Sequence, residues 1–218
     1  HGPLSASGQA VKNKAKPSCR DVFINCPYDV AYIPTLRPVV FTVRVLGFKP
    51  RLAMESADSG VMRIHRILNL IRQSRYAIHD LSRLRAHHRG EHFRLNMPFE
   101  LGLDIGCRLF GTTAYKRKKC LVLEKDRYSL QAALSDLSNS DVCSHNDEPE
   151  IAVRHVRNWL VQEAHASGPS GTAIWYAFND FMADLYKDLR QKGFRKADID
   201  ALPLPELLGH MIKWIRKN

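Results

Sequence analysis

The stretch Asp21-Val22-Phe23-Ile24-Asn25-Cys26-Pro27-Tyr28-Asp29 decides the fold class of this chain. Val22 to Cys26 is a short β-rich run stopped by Pro27, the pattern of a buried strand. Outward from it, strands and helical segments alternate. A helix is expected from Val30 to Leu46, with Pro34 in its first turn, a kink at Pro38 and a stop at Gly47. Arg51 to Met54 reads as a second strand. Val61, Ile64, Ile67, Leu68 and Ile71 then recur at helical spacing behind a cap at Asp58 or Ser59. Tyr76 to His79 is a third strand ending at Asp80.

A basic, His-rich segment from Arg83 to Arg94 follows and reads as a loop. Asn96 is the expected N-cap of the next helix, and Pro98 fits its first turn. Cys120 to Glu124 is a fourth strand, Tyr128 to Leu137 a helix, and a weak strand passes near Val142. Ile151 to Glu163 is again helical. This order predicts an α/β fold: a mainly parallel sheet flanked by helices, with right-handed crossovers. Functional groups should collect where strands end and helices begin. The densest polar chemistry lies at such junctions: Asn25 to Asp29, Glu55 to Ser59, Asp80 to Ser82 and Asn96 to Glu100.

Ser167-Gly168-Pro169-Ser170-Gly171 has the composition of a linker. Beyond it, Ile174, Phe178, Phe181, Leu185 and Leu189 form one helical stripe, and Leu204, Leu208, Met211, Ile212 and Ile215 another. This C-terminal helical appendage, residues 172–218, is too small to bury much core alone, so it should dock on the main domain, residues 20–166, or on another chain, with docking within the chain favoured. Residues 1–19 are expected to be a disordered tail, and His1 to Ser5 resembles a remnant of tag cleavage.

Composition excludes several classes. The 218 residues are 44% hydrophobic and 25% charged, ordinary for a globular protein. No apolar run approaches the ~20 residues that span a bilayer, and no signal peptide is visible, so no membrane role is expected. Five cysteines, an odd number without a CxxC, argue against a disulfide framework and for a reducing, cytoplasmic setting. The net charge of +11 is blocky: basic in the tail, from Gly60 to Leu95 and at Lys116 to Lys119, but acidic from Leu121 to Glu150. Such blocks are either solvated faces or a surface for phosphate-bearing ligands. Charge alone supports nucleic acid.

Glu100 is the leading candidate for chemistry. At the end of the first turn of its helix, the helix dipole should favour its ionised form. A carboxylate there could stabilise an oxocarbenium-like transition state or attack an anomeric carbon; the alternative is a Glu that merely complements a helix start. Asp80 and Ser82 could hold ribose hydroxyls, or form an ordinary turn. Tyr28 could stack on a base, and Asn25 could bond a phosphate or backbone; with Asp29, they too fit turn chemistry. His87, His88, His92 and Cys107 match no metal motif, so no metal is expected. There is no GxGxxG after a strand, no GxxxxGK[ST] and no GxSxG, and Cys26 reads as core.

In order and spacing, "DVFINCPYD" at 21–29, "LNLIRQSRYAIHDLS" at 68–82 and "NMPFELGLDIG" at 96–106 resemble Toll/interleukin-receptor (TIR)-like domains and the related nucleoside 2-deoxyribosyltransferase-like fold. The resemblance covers residues 20 to 165 and implies a flavodoxin-like or TIR-like sheet. It also implies that Glu100 matches the family's catalytic carboxylate, which cleaves the N-glycosidic bond of NAD or a nucleoside. Asp80 and Ser82 match a polar pair near the sugar; Asn25, Tyr28 and Asp29 match the first loop of the nucleotide pocket, and Asn96 opens the catalytic segment. The long insert between Ser82 and Asn96, Met97-Pro98 ahead of Phe-Glu and the C-terminal helices depart from the pattern. The expectation is cleavage of the nicotinamide–ribose bond of NAD, as substrate and not cofactor. Such proteins often act in bacterial antiphage defence, with activation by self-assembly or a protein partner. Rival readings are a nucleoside or nucleotide glycosylase or transferase, and a non-catalytic nucleotide-sensing or protein-interaction module.

Overall fold

In a computed structural model, which describes residues 16–84, 95–137 and 141–218, five parallel strands form one sheet in the order β2-β1-β3-β4-β5. The strands are β1 (Ser18–Asn25), β2 (Lys49–Arg51), β3 (Ser74–Asp80), β4 (Lys119–Glu124) and β5 (Val142–Ser144). The expected sheet is therefore present, with flavodoxin-like strand order. β1 begins at Ser18, inside the stretch expected to be tail.

Side-chain alternation sorts the helices onto the two faces. Val22, Ile24, Tyr76, Ile78, Leu121 and Leu123 point toward α1 (Ile33–Val45) and α5 (Pro149–Ala164). Phe23 and Ala77 point toward α2 (Arg63–Gln73), while Val122 packs with Met97 and Leu101 of α3 (Asn96–Phe110). The first crossover moves outward to β2, and the others move the opposite way. Placing α1 on one face and α2 and α3 on the other gives all of them the same hand. The direction of travel reverses between β1 and β3, and such a switch point, here beyond Asn25 and Asp80, is where open α/β sheets form their ligand crevice.

Local details depart from expectation for identifiable reasons. Pro38 lies inside α1 without ending it. Gly47 does stop the helix, at φ +81°, where a side chain would be strained. β2 occupies 49–51, not 51–54, because Ala53–Glu55 coils into a 3-10 turn whose Glu55 carboxylate accepts from the Leu52 N–H at 2.7 Å. Neither Asp58 nor Ser59 caps α2: its N-cap is Met62, and Asp58 accepts instead from the Gly60 N–H. The Tyr128–Leu137 helix is reduced to α4 (Ser129–Ala133) and a separate 3-10 turn at Ser135–Leu137.

The C-terminal segment docks within the chain, as expected, but as three helices: α6 (Gly171–Gln191), a short α7 (Lys196–Asp200) and α8 (Leu204–Lys217). Phe41 of α1 is the anchor. Its ring stacks on Phe181 at 5.5 Å, meets Phe178 edge-on at 5.6 Å and lies 5.9 Å from Trp214. The Arg37 guanidinium donates to the carbonyls of Ile199 and Asp200, tying α7 to α1. Among the described residues, no helix is long and apolar enough to cross a membrane, and all five cysteines are free.

Phe181 is fully buried between these rings. Phe181→Ala should cost about 3–5 kcal/mol, the usual range for truncating a core aromatic. Urea denaturation followed by tryptophan fluorescence measures this. A loss below ~1 kcal/mol would mean that the C-terminal helices are only loosely attached.

Candidate active site

Two polar knots close the crevice, one on each face of the sheet. On the α3 face, Asn25 donates to the Met97 carbonyl at 2.9 Å and to His79 Nδ1 at 3.1 Å. The carbonyl can only accept, so it fixes the amide orientation; His79 Nδ1 must then accept, and its Nε2–H donates to Asp104 at 3.1 Å. The other Asp104 oxygen meets the ammonium of Lys118 at 3.0 Å. Lys118, only 2% exposed, also donates to the Ile71 and Ser74 carbonyls. Burial alone would raise the Asp104 pKa, but the hydrogen bonds from His79 and Lys118 and the lysine charge hold it below the usual carboxylate range.

On the α1 face, Asp80 is fully buried and saturated. It accepts from Tyr32 Oη at 2.5 Å, from the Ser82 N–H at 2.9 Å, from Ser82 Oγ at 2.5 Å and from His145 Nε2 at 3.0 Å. Burial opposes ionisation, yet the hydrogen bonds from His145, Ser82 and Tyr32 leave its pKa lowered. The cluster of Ser82, His145 and Asp80 is not a nucleophilic triad. His145 Nδ1 accepts from the Asp147 N–H, so Nε2 carries the proton and has no lone pair for the Ser82 hydroxyl. Asp29 accepts from the Tyr32 N–H and pairs with Arg83 at 3.3 Å. Asp80, Ser82, Asn25 and Asp29 therefore shape the mouth while engaged with protein partners.

Glu100 differs. It is only 5% exposed, and among the described residues it accepts no hydrogen bond and forms no ion pair. The other buried carboxylates all have partners: Asp21 pairs with Arg51, Asp80 and Asp104 sit in the knots above, and Glu124 accepts from the N–H groups of Tyr128 and Leu130. Leu95, not Asn96, is the N-cap of α3. Asn96 is exposed as the first helical residue, and Glu100 is the fifth. The expectation that the dipole favours an ionised Glu100 is thereby corrected. Desolvation dominates and raises its pKa to about 7, opposed only by the positive charge of Arg63.

Tyr28 is half-buried in the same mouth, with the Arg63 guanidinium 5.6 Å from its ring centroid. Burial, then the charges of Cys26 and Glu100, raise the Tyr28 pKa, while Arg63 lowers it. Cys26 is buried and its pKa is well raised, first by burial and then by Asp80, Glu100 and Asp29. It is a neutral thiol, unsuited to attack. The structure thus gathers Glu100, Tyr28, Asn25, Asp29, Asp80 and Ser82 around one crevice and leaves Asn96 on its exterior. Sequence reading missed Arg63, Tyr32, His79, Asp104, Lys118 and His145. Only Asp104 had a signal: it lies four residues after Glu100, on the same helix face.

Among the described residues, no cluster of three His, Cys, Asp or Glu side chains could hold a metal. The histidines at 87, 88 and 92, with most of the basic insert, lie outside the described residues. No family model, curated protein or solved structure matches the chain.

Two outcomes follow from these electrostatics. Between pH ~4.5 and 7 the folded state holds a proton on Glu100 that the unfolded state has lost, so stability falls as pH rises through that window. Glu100→Gln should therefore stabilise the protein by roughly 3 kcal/mol at pH 8 and by almost nothing at pH 4, read from urea melts at both pH values. Lys118→Met leaves Asp104 buried without its cation and should cost about 3–5 kcal/mol. Adding Asp104→Asn, which keeps an acceptor for His79, should restore much of that loss in a double-mutant cycle.

Proposed function

We propose that the chain is a TIR-like N-glycosidase that hydrolyses the nicotinamide–ribose bond of NAD, with Glu100 as the catalytic carboxylate. The observation that carries this reading is Glu100, the one buried carboxylate at the sheet's switch point that is left unengaged among the described residues. A buried polar group without a partner costs stability, and such a cost is characteristic of a functional site. The resemblance of "NMPFELGLDIG" to the catalytic segment of TIR-like enzymes supports the same residue.

The chemistry needs little else. The C1′–N bond of NAD breaks with its electron pair leaving on nicotinamide, which departs neutral and needs no acid. The Glu100 carboxylate stabilises the cationic sugar. Water then adds to C1′ and gives its proton to Glu100, so that NAD and water yield nicotinamide, ADP-ribose and a proton. A pKa of about 7 suits that final step. Ordinary nucleosides fit less well. Their base leaves as an anion unless an acid protonates it, and the neighbouring carboxylates Asp29 and Asp80 are already engaged.

Incubation of the purified protein with NAD, followed by chromatography, should reveal nicotinamide and ADP-ribose. Glu100→Gln should lower the rate at least about 100-fold while remaining folded. Because the carboxylate is the active form, the wild-type rate should climb with pH through about 7 and then level. Wild-type turnover by Glu100→Gln would refute the assignment, and release of bases from nucleosides instead of nicotinamide from NAD would favour the glycosylase reading.

A further inference from the structure

Arg63 is a cation near Glu100 that no described residue engages in a hydrogen bond or ion pair. It is exposed at the start of α2, and among the described residues it makes no hydrogen bond or ion pair. Its neighbours contrast with it. Arg51 is bound to Asp21 and Glu55, Arg66 to the carbonyls of Ala53, Ser56 and Asp58, and Arg83 to Asp29. Arg63 instead lies against the Tyr28 ring, 5.6 Å from its centroid. A guanidinium this close to an aromatic face is attracted to it, and among the described residues no acceptor takes its donors. Arg63 is within electrostatic reach of Glu100 yet forms no ion pair with it.

We infer that Arg63, backed by Tyr28, is a specificity-determining residue that binds the phosphate of a nucleotide whose sugar lies at Glu100. A planar guanidinium with free donors matches a phosphate bidentately. The 5′-phosphate of a nucleotide is one ribose away from C1′, so both groups can meet one substrate. The electrostatics also require a counter-charge. An uncompensated guanidinium beside a sugar that becomes cationic raises the barrier to bond cleavage, and a bound phosphate cancels it. The site therefore prefers NAD over its phosphate-free counterpart, nicotinamide riboside.

This inference rests on the proposed glycosidase reading, and the test separates the two. At pH 8.5, above the Glu100 titration, kcat and KM are measured for NAD and for nicotinamide riboside. Arg63→Ala should lower kcat/KM for NAD by about 10- to 100-fold, the value of a charge-assisted hydrogen bond pair, chiefly through KM. The riboside should lose no rate and should be cleaved somewhat faster, because the uncompensated cation is gone, and Arg63→Lys should recover part of the NAD activity. An equal loss on both substrates, or no loss on NAD, overturns the inference while leaving the glycosidase reading intact. If the wild type cleaves neither substrate, calorimetry with ADP-ribose decides: binding that Arg63→Ala weakens at least about tenfold supports the phosphate site without catalysis, and binding unaffected by Arg63→Ala, or no binding, overturns it.

Discussion

The buried ammonium of Lys118 is the constraint on which the candidate site depends. A lysine out of water needs a counter-charge and acceptors, and here the Asp104 carboxylate supplies the charge while the Ile71 and Ser74 carbonyls accept hydrogen bonds. That fixes Asp104, hence the side of α3 that faces the sheet. His79 carries the chain of hydrogen bonds to Asn25, and Asn25 returns it to the first turn of α3 at the Met97 carbonyl. α3 is thus gripped at both ends of one face. Glu100 lies between the two grips, one turn before Asp104 and one residue beyond Pro98–Phe99, so its backbone position is fixed by both.

Rigid placement of its backbone explains how a carboxylate can stay buried with no partner among the described residues. A flexible segment would relax until Glu100 found solvent or a cation. Held as it is, the side chain stays desolvated, with its pKa near 7 and only the more distant Arg63 charge in its favour. The saturated Asp80 shows the contrasting solution on the other face. Two carboxylates at the ends of one crevice are thereby driven apart, one locked as an anion by four hydrogen bonds and one poised between its two forms.

The layers were legible in the sequence because they follow from local rules. Val22-Phe23-Ile24 and Tyr76-Ala77-Ile78 alternate between faces as period two demands, and the apolar stripes of α2, α6 and α8 follow the helical period. Glu100 was legible for a different reason: its motif resembles a known catalytic segment. The polar partners were not legible, because they are set by tertiary distance alone. Lys118 sits in the run Lys116-Arg117-Lys118-Lys119 and looks like one more solvated charge, yet it is the most deeply buried cation described. His145 pairs with Asp80 across 65 residues, with no periodic signal linking them. Asn96 failed as an N-cap because helix boundaries shift by a residue or two without strong sequence cause.

The same tertiary bookkeeping changes the meaning of the +11 charge. Five of the described cations are engaged inside the protein: Arg37 by carbonyls of α7, Arg51 by two carboxylates, Arg66 by the loop before α2, Arg83 by Asp29 and Lys118 by Asp104. These five stabilise loops and helix ends. Long-range attraction between exposed charges is in any case screened beyond ~10 Å at ordinary ionic strength. A guanidinium held on an aromatic ring beside a desolvated carboxylate acts at shorter range, where screening is weaker and geometry discriminates. In the proposed reading, the charge used for recognition is one placed residue rather than the sum over the chain.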